Sequence, residues 1–151
     1  MGNAKTIRQV VAFVILFCGA WMFAAAQTAS CAVRVSADGF RNQNGVLGIA
    51  VYKSPSGWPE DSEQAIFHDS YKIVNGKALA QLALAPGRYA IAAIHDENGD
   101  HKLDRNFLGV PKEGFGFSNN PAVGMSAPSF SAASFAVSCP VTEISIHMMY
   151  R

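Results

Sequence analysis

The sequence has few charged residues, and their charges nearly cancel. Asp, Glu, Lys and Arg make up 15% of the chain, and the formal net charge is +1 at pH 7. A nucleic-acid-binding domain needs a basic surface and a disordered chain usually has a large excess of one charge, so this composition argues against both. With 151 residues the chain has the length of one domain. We therefore expect a folded protein with no nucleic-acid partner.

Recognisable catalytic motifs are also missing. The chain contains no Gly-x-Ser-x-Gly, no His-Glu-x-x-His and no paired Cys and His typical of a thiol enzyme. We therefore predict a non-catalytic protein. The alternative is a metal-assisted hydrolase that uses His95, Asp96 and Asp104, with Glu113 as general base.

Long apolar runs are absent apart from one at the N-terminus. Lys5 and Arg8 precede an uncharged apolar run at 10–26, which ends in three alanines. A basic start, an apolar middle and small residues at the end predict a signal peptide over 1–26, cleaved after Ala26. The alternative is an uncleaved anchor, because the run approaches the roughly 20 residues that span a bilayer. Cleavage would give an exported protein, periplasmic or extracellular, with no membrane span.

Cysteine is scarce, and its placement predicts one disulfide. Removal of the signal peptide also removes Cys18 and leaves Cys31 and Cys139. In an oxidising compartment two cysteines form a disulfide by default, here closing a loop of about a hundred residues. The alternative is lipidation of Cys31, but the preceding Thr-Ala-Ser lacks the large apolar residue with which a lipobox begins.

No long segment has helical periodicity, whereas short strand patterns recur. Residues 33–37 alternate between apolar and polar, residues 46–52 are apolar on both faces, and Asn75-Gly76 marks a hairpin. The other predicted elements are strands at 71–74, 77–84, 89–94, 130–137 and 143–150, and a helical turn at 61–65. About seven strands predict an all-β fold over 31–151, a two-sheet β-sandwich of immunoglobulin or transthyretin type with one long loop. A small closed barrel is the alternative.

The longest connection, from 96 to about 129, contains a pattern typical of calcium loops. Asp96, Asn98, Asp100 and Asp104 occupy relative positions 1, 3, 5 and 9, and the Lys102 carbonyl lies where such loops supply a backbone oxygen. Because calcium takes about six to eight oxygen ligands, the spacing predicts a calcium site. The flanking strands exclude an EF-hand. The alternative is a turn capped by its own Asp and Asn side chains.

Glu113 and three phenylalanines complete the predicted site. Glu113 is the candidate for the closing, bidentate calcium ligand. Zinc is disfavoured, because His95 and His101 are the only nitrogen ligands in the loop. Phe107, Phe115 and Phe117 form either a binding surface or a small satellite core that packs the loop onto the sandwich. Trp58 similarly either caps the core or is exposed for binding.

This loop also carries a family resemblance. It reads His95-Asp96-x-Asn98-x-Asp100-x-Lys102-Leu103-Asp104-x-Asn106-Phe107-x-Gly109-x-Pro111-x-Glu113-Gly114-x-Gly116-Phe117-Ser118-Asn119. With the upstream Leu84-x-Pro86-Gly87-x-Tyr89-Ala90 and the downstream Pro128-x-Phe130, it resembles the bacterial domain-of-unknown-function family 2141 over residues 33–150. The resemblance implies a small exported protein with a β-sandwich similar to prealbumin-like and carboxypeptidase-regulatory domains. It implies no activity, and the cysteine pair is not carried over from it.

These patterns together predict an exported, non-catalytic β-sandwich module. Its long acidic loop would be ordered by calcium and would form a binding surface for an envelope or extracellular partner that the sequence does not identify. The alternatives are the metal-assisted hydrolase, and an envelope structural or interaction protein with no ion site.

Overall fold

Two β-sheets face each other across an apolar core in the computed structural model, which describes residues 29–151. The signal-peptide prediction for 1–26 lies outside the described residues. The strands are β1 (Cys31–Asp38), β2 (Val46–Tyr52), β3 (Phe67–Lys72), β4 (Ala78–Leu84), β5 (Gly87–Asp96), β6 (Gly114–Phe117), β7 (Phe135–Val137) and β8 (Val141–His147). The prediction of an all-β, two-sheet sandwich is confirmed, while its immunoglobulin or transthyretin subclass stays a prediction.

One sheet has three strands and the other has five. The first has the order β4-β1-β8, in which β1 pairs antiparallel with β4 and parallel with β8. The second has the order β3-β2-β5-β6, and β7 pairs with the beginning of β5. Alternate residues of β1 point into the core, as the polar–apolar alternation predicts, and Val33, Val35 and Ala37 are buried.

The predicted disulfide is confirmed. Cys31 opens β1 and Cys139 lies two residues before β8, and the bond joins them across 108 positions of sequence with a Cα–Cα distance of 4.7 Å. Because β1 and β8 run parallel, the bridge ties their starts together at one edge of the sandwich. Within residues 29–151, no helix combines the length and hydrophobicity needed to cross a membrane.

The predicted hairpin at Asn75-Gly76 is only partly correct. Both residues have positive φ, 53° and 72°, and Val74 and Lys77 bond each other across the turn. However, β3 pairs with β2 in the larger sheet and β4 pairs with β1 in the smaller one. The turn therefore carries the chain from one sheet to the other.

Three predicted boundaries are wrong near the end of the chain. The strand predicted at 130–137 begins as a short helix, α1 (Phe130–Ala133), because the Ser129 side chain caps it by accepting from the Ala132 amide. β8 ends at His147, before the predicted 150, and the chain then crosses to β6, where Met149 pairs with Phe115. The connection predicted as one long loop contains β6.

Candidate functional site

The outer face of the five-stranded sheet is apolar on β2, β5 and β6, although the outer face of a two-layer sandwich is usually wet and polar. On β3 the same face carries His68 and Ser70, which pair with Ala50 and Gly48. On β2, Leu47, Ile49 and Val51 point into the core, so Gly48 and Ala50 lie on the opposite face. The pairing register sets Ala50 beside Ala92 of β5, and Ala92 beside Phe117 of β6. Small side chains therefore occupy the middle of this face.

Aromatic rings close one end of this face. Trp58 is half-buried, makes T-shaped contacts with Tyr52 and Phe130, and donates from Nε1 to the Pro128 carbonyl at 2.9 Å. Burial, together with the nearby Asp61 and Glu60 carboxylates, raises the pKa of Tyr52 to about 12. Tyr52 is thus a neutral phenol that donates to the Pro59 carbonyl. Trp58 has the packing role rather than an exposed one.

Three loops rise around the remainder of this face and leave a groove of about 1360 Å³. The floor is formed by residues of β2, β3, β5 and β6, and the walls by residues 59–62, 101–111 and 123–127. The apolar residues of the lining include Gly48, Ala50, Ala92, Ile94, Phe117 and Leu108. The acidic loop predicted from the sequence is therefore one wall of a groove over the sheet.

Asp96 holds this wall in shape. It ends β5, is 0% exposed, and its carboxylate accepts three backbone N–H groups. Oδ1 accepts from Gly99 at 2.8 Å and from Asp100 at 3.2 Å, and Oδ2 accepts from His101 at 2.9 Å. The positive φ of Gly99 and His101, 79° and 61°, lets the chain curl around the carboxylate. This arrangement is a self-capped turn.

Glu113 fastens the far side of the same loop. It is buried, and each of its oxygens accepts one backbone N–H: Oε1 from Glu97 at 2.8 Å and Oε2 from Asp104 at 3.1 Å. Glu113 therefore spans the loop from the residue after β5 to Asp104. Its predicted role as the closing calcium ligand stays a prediction.

The other predicted calcium ligands lie towards solvent. Asp100 Oδ1 accepts from the Lys102 amide at 2.9 Å, and Asn98 Nδ2 donates to Asp104 Oδ2 at 3.3 Å. Residues 29–151 include no group of three or more His, Cys, Asp or Glu side chains arranged to hold a metal ion. Calcium at this loop, with the Lys102 carbonyl among its ligands, stays a prediction.

The three phenylalanines do not come together. Phe107 stands at the tip of a tight turn and is 95% exposed, whereas Phe115 and Phe117 are buried on β6. The Asn106 side chain braces the turn by accepting from the amides of Leu108 and Val110. Phe107 is thus an apolar side chain exposed at the tip of a braced turn, and the other two form part of the satellite core and the floor of the groove.

An ion pair joins the acidic loop to the opposite wall. The Arg105 guanidinium pairs with the Glu60 carboxylate and also donates to the Gly109 carbonyl at 3.0 Å. Both charged residues line the groove. The pair therefore links the wall at 101–111 to the wall at 59–62.

His95, the central residue of the hydrolase alternative, belongs to a buried structural network. Its Nε2 lies 2.8 Å from the Asn44 carbonyl and its Nδ1 lies 2.7 Å from the Tyr150 hydroxyl. Because a carbonyl only accepts, Nε2 carries the proton and Nδ1 accepts from Tyr150. The Tyr150 oxygen in turn accepts from the Arg41 amide at 3.1 Å. Both ring nitrogens are thereby occupied.

Glu97, which the sequence analysis did not single out, stabilises the same network. It pairs with the Arg41 guanidinium and accepts from Asn42 at 2.9 Å. Burial alone would raise the pKa of Glu97, but the hydrogen bonds from Asn42 and Arg41 and the Arg41 charge outweigh it and lower the pKa below its ordinary value. The carboxylate is therefore ionised and anchors the segment before β2 to the acidic loop.

Comparison with known proteins gives a family and nothing further. No curated protein and no solved structure matches the chain. The model of a family described as uncharacterized proteins conserved in bacteria, DUF2141, matches residues 35–145, which include six of the eight strands, β2 to β7, in full and parts of β1 and β8. The chain belongs to this bacterial family, DUF2141.

Proposed function

We propose that the protein is an exported, non-catalytic binding module that takes an elongated apolar small molecule in the groove over its five-stranded sheet. The observation that carries the proposal is the groove itself, an apolar sheet face of about 1360 Å³ walled by three loops. Small-molecule sites are concave and mostly apolar, with volumes of roughly 300–1,000 Å³, and an open groove extends beyond that range.

The floor of the groove supports an apolar occupant. Gly48 and Ala50 on β2 are half-buried and Ala92 on β5 is buried, and none of their side chains fills the space above the sheet. Ile94 covers Gly48, since a Cβ at Gly48 would lie 2.9 Å from Ile94 Cγ1, so the open part of the floor lies at Ala50 and Ala92. Binding of an apolar ligand there would remove apolar surface from water, which contributes about 25 cal/mol of favourable free energy per Å² buried.

The state of the polar residues supports binding rather than catalysis. The hydrolase alternative needs a free base and a free histidine nitrogen, but both oxygens of Glu113 and both ring nitrogens of His95 already have hydrogen-bond partners. Export is supported by the signal-peptide pattern at 1–26 and by the Cys31–Cys139 disulfide.

Filling the floor of the groove is expected to weaken binding of an apolar probe. We predict that the purified protein binds the neutral dye N-phenyl-1-naphthylamine saturably, and that Ala50→Leu weakens this binding at least about tenfold, equivalent to about 1.4 kcal/mol. The reason is that the larger side chain occupies the space above Ala50. Fluorescence titration measures both affinities.

The matched control is Ala83→Leu, the same change at an exposed alanine on the outer face of the three-stranded sheet. It should leave dye binding unchanged. If Ala50→Leu does not fold, Leu108→Ser in the wall and Leu79→Ser on β4 form a second pair, because both leucines are 72% exposed. Absence of saturable binding by the unmodified protein, or equal effects within a pair, would contradict the proposed site.

A further inference from the structure

We infer that residues 105–111 form a lid at the groove, held shut by the ion pair between Arg105 and Glu60. The inference rests on the proposed function and adds how access to that site is regulated. The segment is a short hairpin, because Arg105 bridges to Pro111 and the Asn106 amide donates to the Val110 carbonyl at 2.9 Å. It is called the lid hairpin below.

The two loops joined by this ion pair begin at opposite ends of the groove floor. The loop that carries Glu60 follows Tyr52, which pairs with Ala90 of β5. The loop that carries Arg105 follows Asp96, the last residue of β5. Ala90 and Asp96 are six positions apart, which is about 20 Å at the usual rise of a strand. Joined through Arg105 and Glu60, the two loops therefore bridge the length of the floor.

The base of the lid hairpin is firmly attached to the rest of the fold. The Asp104 amide donates to Glu113 Oε2 at 3.1 Å, and the Lys112 amide donates to the Asp104 carbonyl at 2.8 Å. Immediately before the base, Leu103 packs against the buried cluster on the outer face of the sheet. An opening motion of the hairpin therefore has fixed ends at 104 and 112.

Beyond its base the lid hairpin is held together by its own bonds. The Asn106 side chain accepts from two amides of the same turn, and none of residues 105–111 belongs to either buried cluster of the described chain. Within residues 29–151, the pair with Glu60 is the one hydrogen bond or salt bridge that leaves the hairpin. Segments with few buried apolar contacts open at low cost in free energy. The hairpin can therefore open as a unit when this pair breaks.

The ion pair is exposed enough to break readily. The Arg105 side chain is 37% exposed and the Glu60 side chain is 67% exposed, and both residues line the groove. Exposed ion pairs contribute little to stability and are screened by salt. The pair therefore suits a latch that opens often, and it lies where an entering ligand would pass.

The binding rates of the neutral dye N-phenyl-1-naphthylamine test the lid. Glu60→Gln removes the charge of the latch and keeps the size of the side chain. In stopped-flow fluorescence at low salt, we expect its association and dissociation rate constants both to rise about threefold, because entry and exit use the same opening. Kd should therefore change less than either rate. High salt should raise both rates of the unmodified protein in the same way and leave those of Glu60→Gln unchanged.

The matched control is Glu143→Gln, which removes the carboxylate from the exposed pair between Arg34 and Glu143 on the three-stranded sheet. The Glu143 side chain is 71% exposed and lies outside the groove lining, so neither rate should change. Arg105→Gln should give the same rise as Glu60→Gln, and the double variant no further rise.

Three results would count against these proposals, and they are distinguishable. If Glu60→Gln leaves both rates unchanged, or raises the dissociation rate alone, the lid inference is wrong and the groove proposal stands. If the unmodified protein shows no saturable dye binding, the proposed function itself fails and the lid inference fails with it.

Discussion

Replacing Asp96 with alanine is expected to lower the free energy of unfolding by about 3–5 kcal/mol, one of the two largest effects of a change in this protein. The carboxylate is fully buried and accepts the amides of Gly99, Asp100 and His101. Alanine would leave these donors without their acceptor and release the turn that forms one wall of the groove. Urea unfolding monitored by circular dichroism measures the change.

Two variants separate this role from a general effect of acidic residues. Asp100→Ala removes an exposed carboxylate that accepts one amide, that of Lys102, so its cost should stay below about 1 kcal/mol. Asp96→Asn keeps one oxygen acceptor, so its loss of unfolding free energy should lie between those of Asp96→Ala and Asp100→Ala. Equal losses for Asp96→Ala and Asp100→Ala would refute the assignment of Asp96 as the residue that shapes the loop.

The same measurements with added calcium test the calcium prediction separately. An ion held by Asp100 and Asp104 would stabilise the unmodified protein by mass action and would leave Asp100→Ala unchanged. The structural role of Asp96 requires no ion, because backbone amides occupy its oxygens.

Removing the disulfide is the second change with a large expected effect. The bond closes a loop across 108 positions, for which the chain-entropy model gives about 4–5 kcal/mol. The double variant Cys31→Ala with Cys139→Ala should therefore lose about that amount in urea unfolding. Cys31 is buried at the start of β1, so part of the loss also comes from the smaller side chain.

Chemical reduction provides the control for this variant. The unmodified protein in dithiothreitol should lose a similar amount of stability, while the double variant should not respond to the reductant. A loss of less than about 1 kcal/mol in both experiments would contradict the view that the bridge stabilises the sandwich by joining the starts of β1 and β8.

The sequence predicted strands well where one face is polar and the other apolar. The alternation in β1 gave the strand and its buried residues correctly. Prediction from alternation failed at β6, where Gly-Phe-Gly-Phe also alternates but was interpreted as part of a loop. Glycine is needed there because a Cβ at Gly116 would lie 2.6 Å from Ile146 Cγ2, and one at Gly114 would lie 2.6 Å from the Tyr150 ring. Only the packing of the opposite segment reveals that requirement.

The sequence singled out residues in one wall of the groove, but it predicted neither the geometry of that wall nor the floor. Sequence spacing identified Asp96 and Glu113 as the oxygen donors of one loop, but it could not show that their lone pairs point at backbone amides. The floor of the groove was missed, because Gly48, Ala50 and Ala92 become neighbours only through the pairing register of β2 and β5. The sequence did contain a signal for the floor. Residues 46–52 are apolar on both faces, and the outward positions of β2 carry the small residues Gly48 and Ala50.

The most direct test of the groove is an amide-shift titration by heteronuclear NMR with N-phenyl-1-naphthylamine. We predict saturable shifts that concentrate on the floor of the groove, at Gly48, Ala50 and Ala92, and in the wall around Lys102. The outer face of the three-stranded sheet, at Gln81 and Ala83, should not respond. Shifts spread equally over both sheets, or no saturable shift at the floor, would contradict the account.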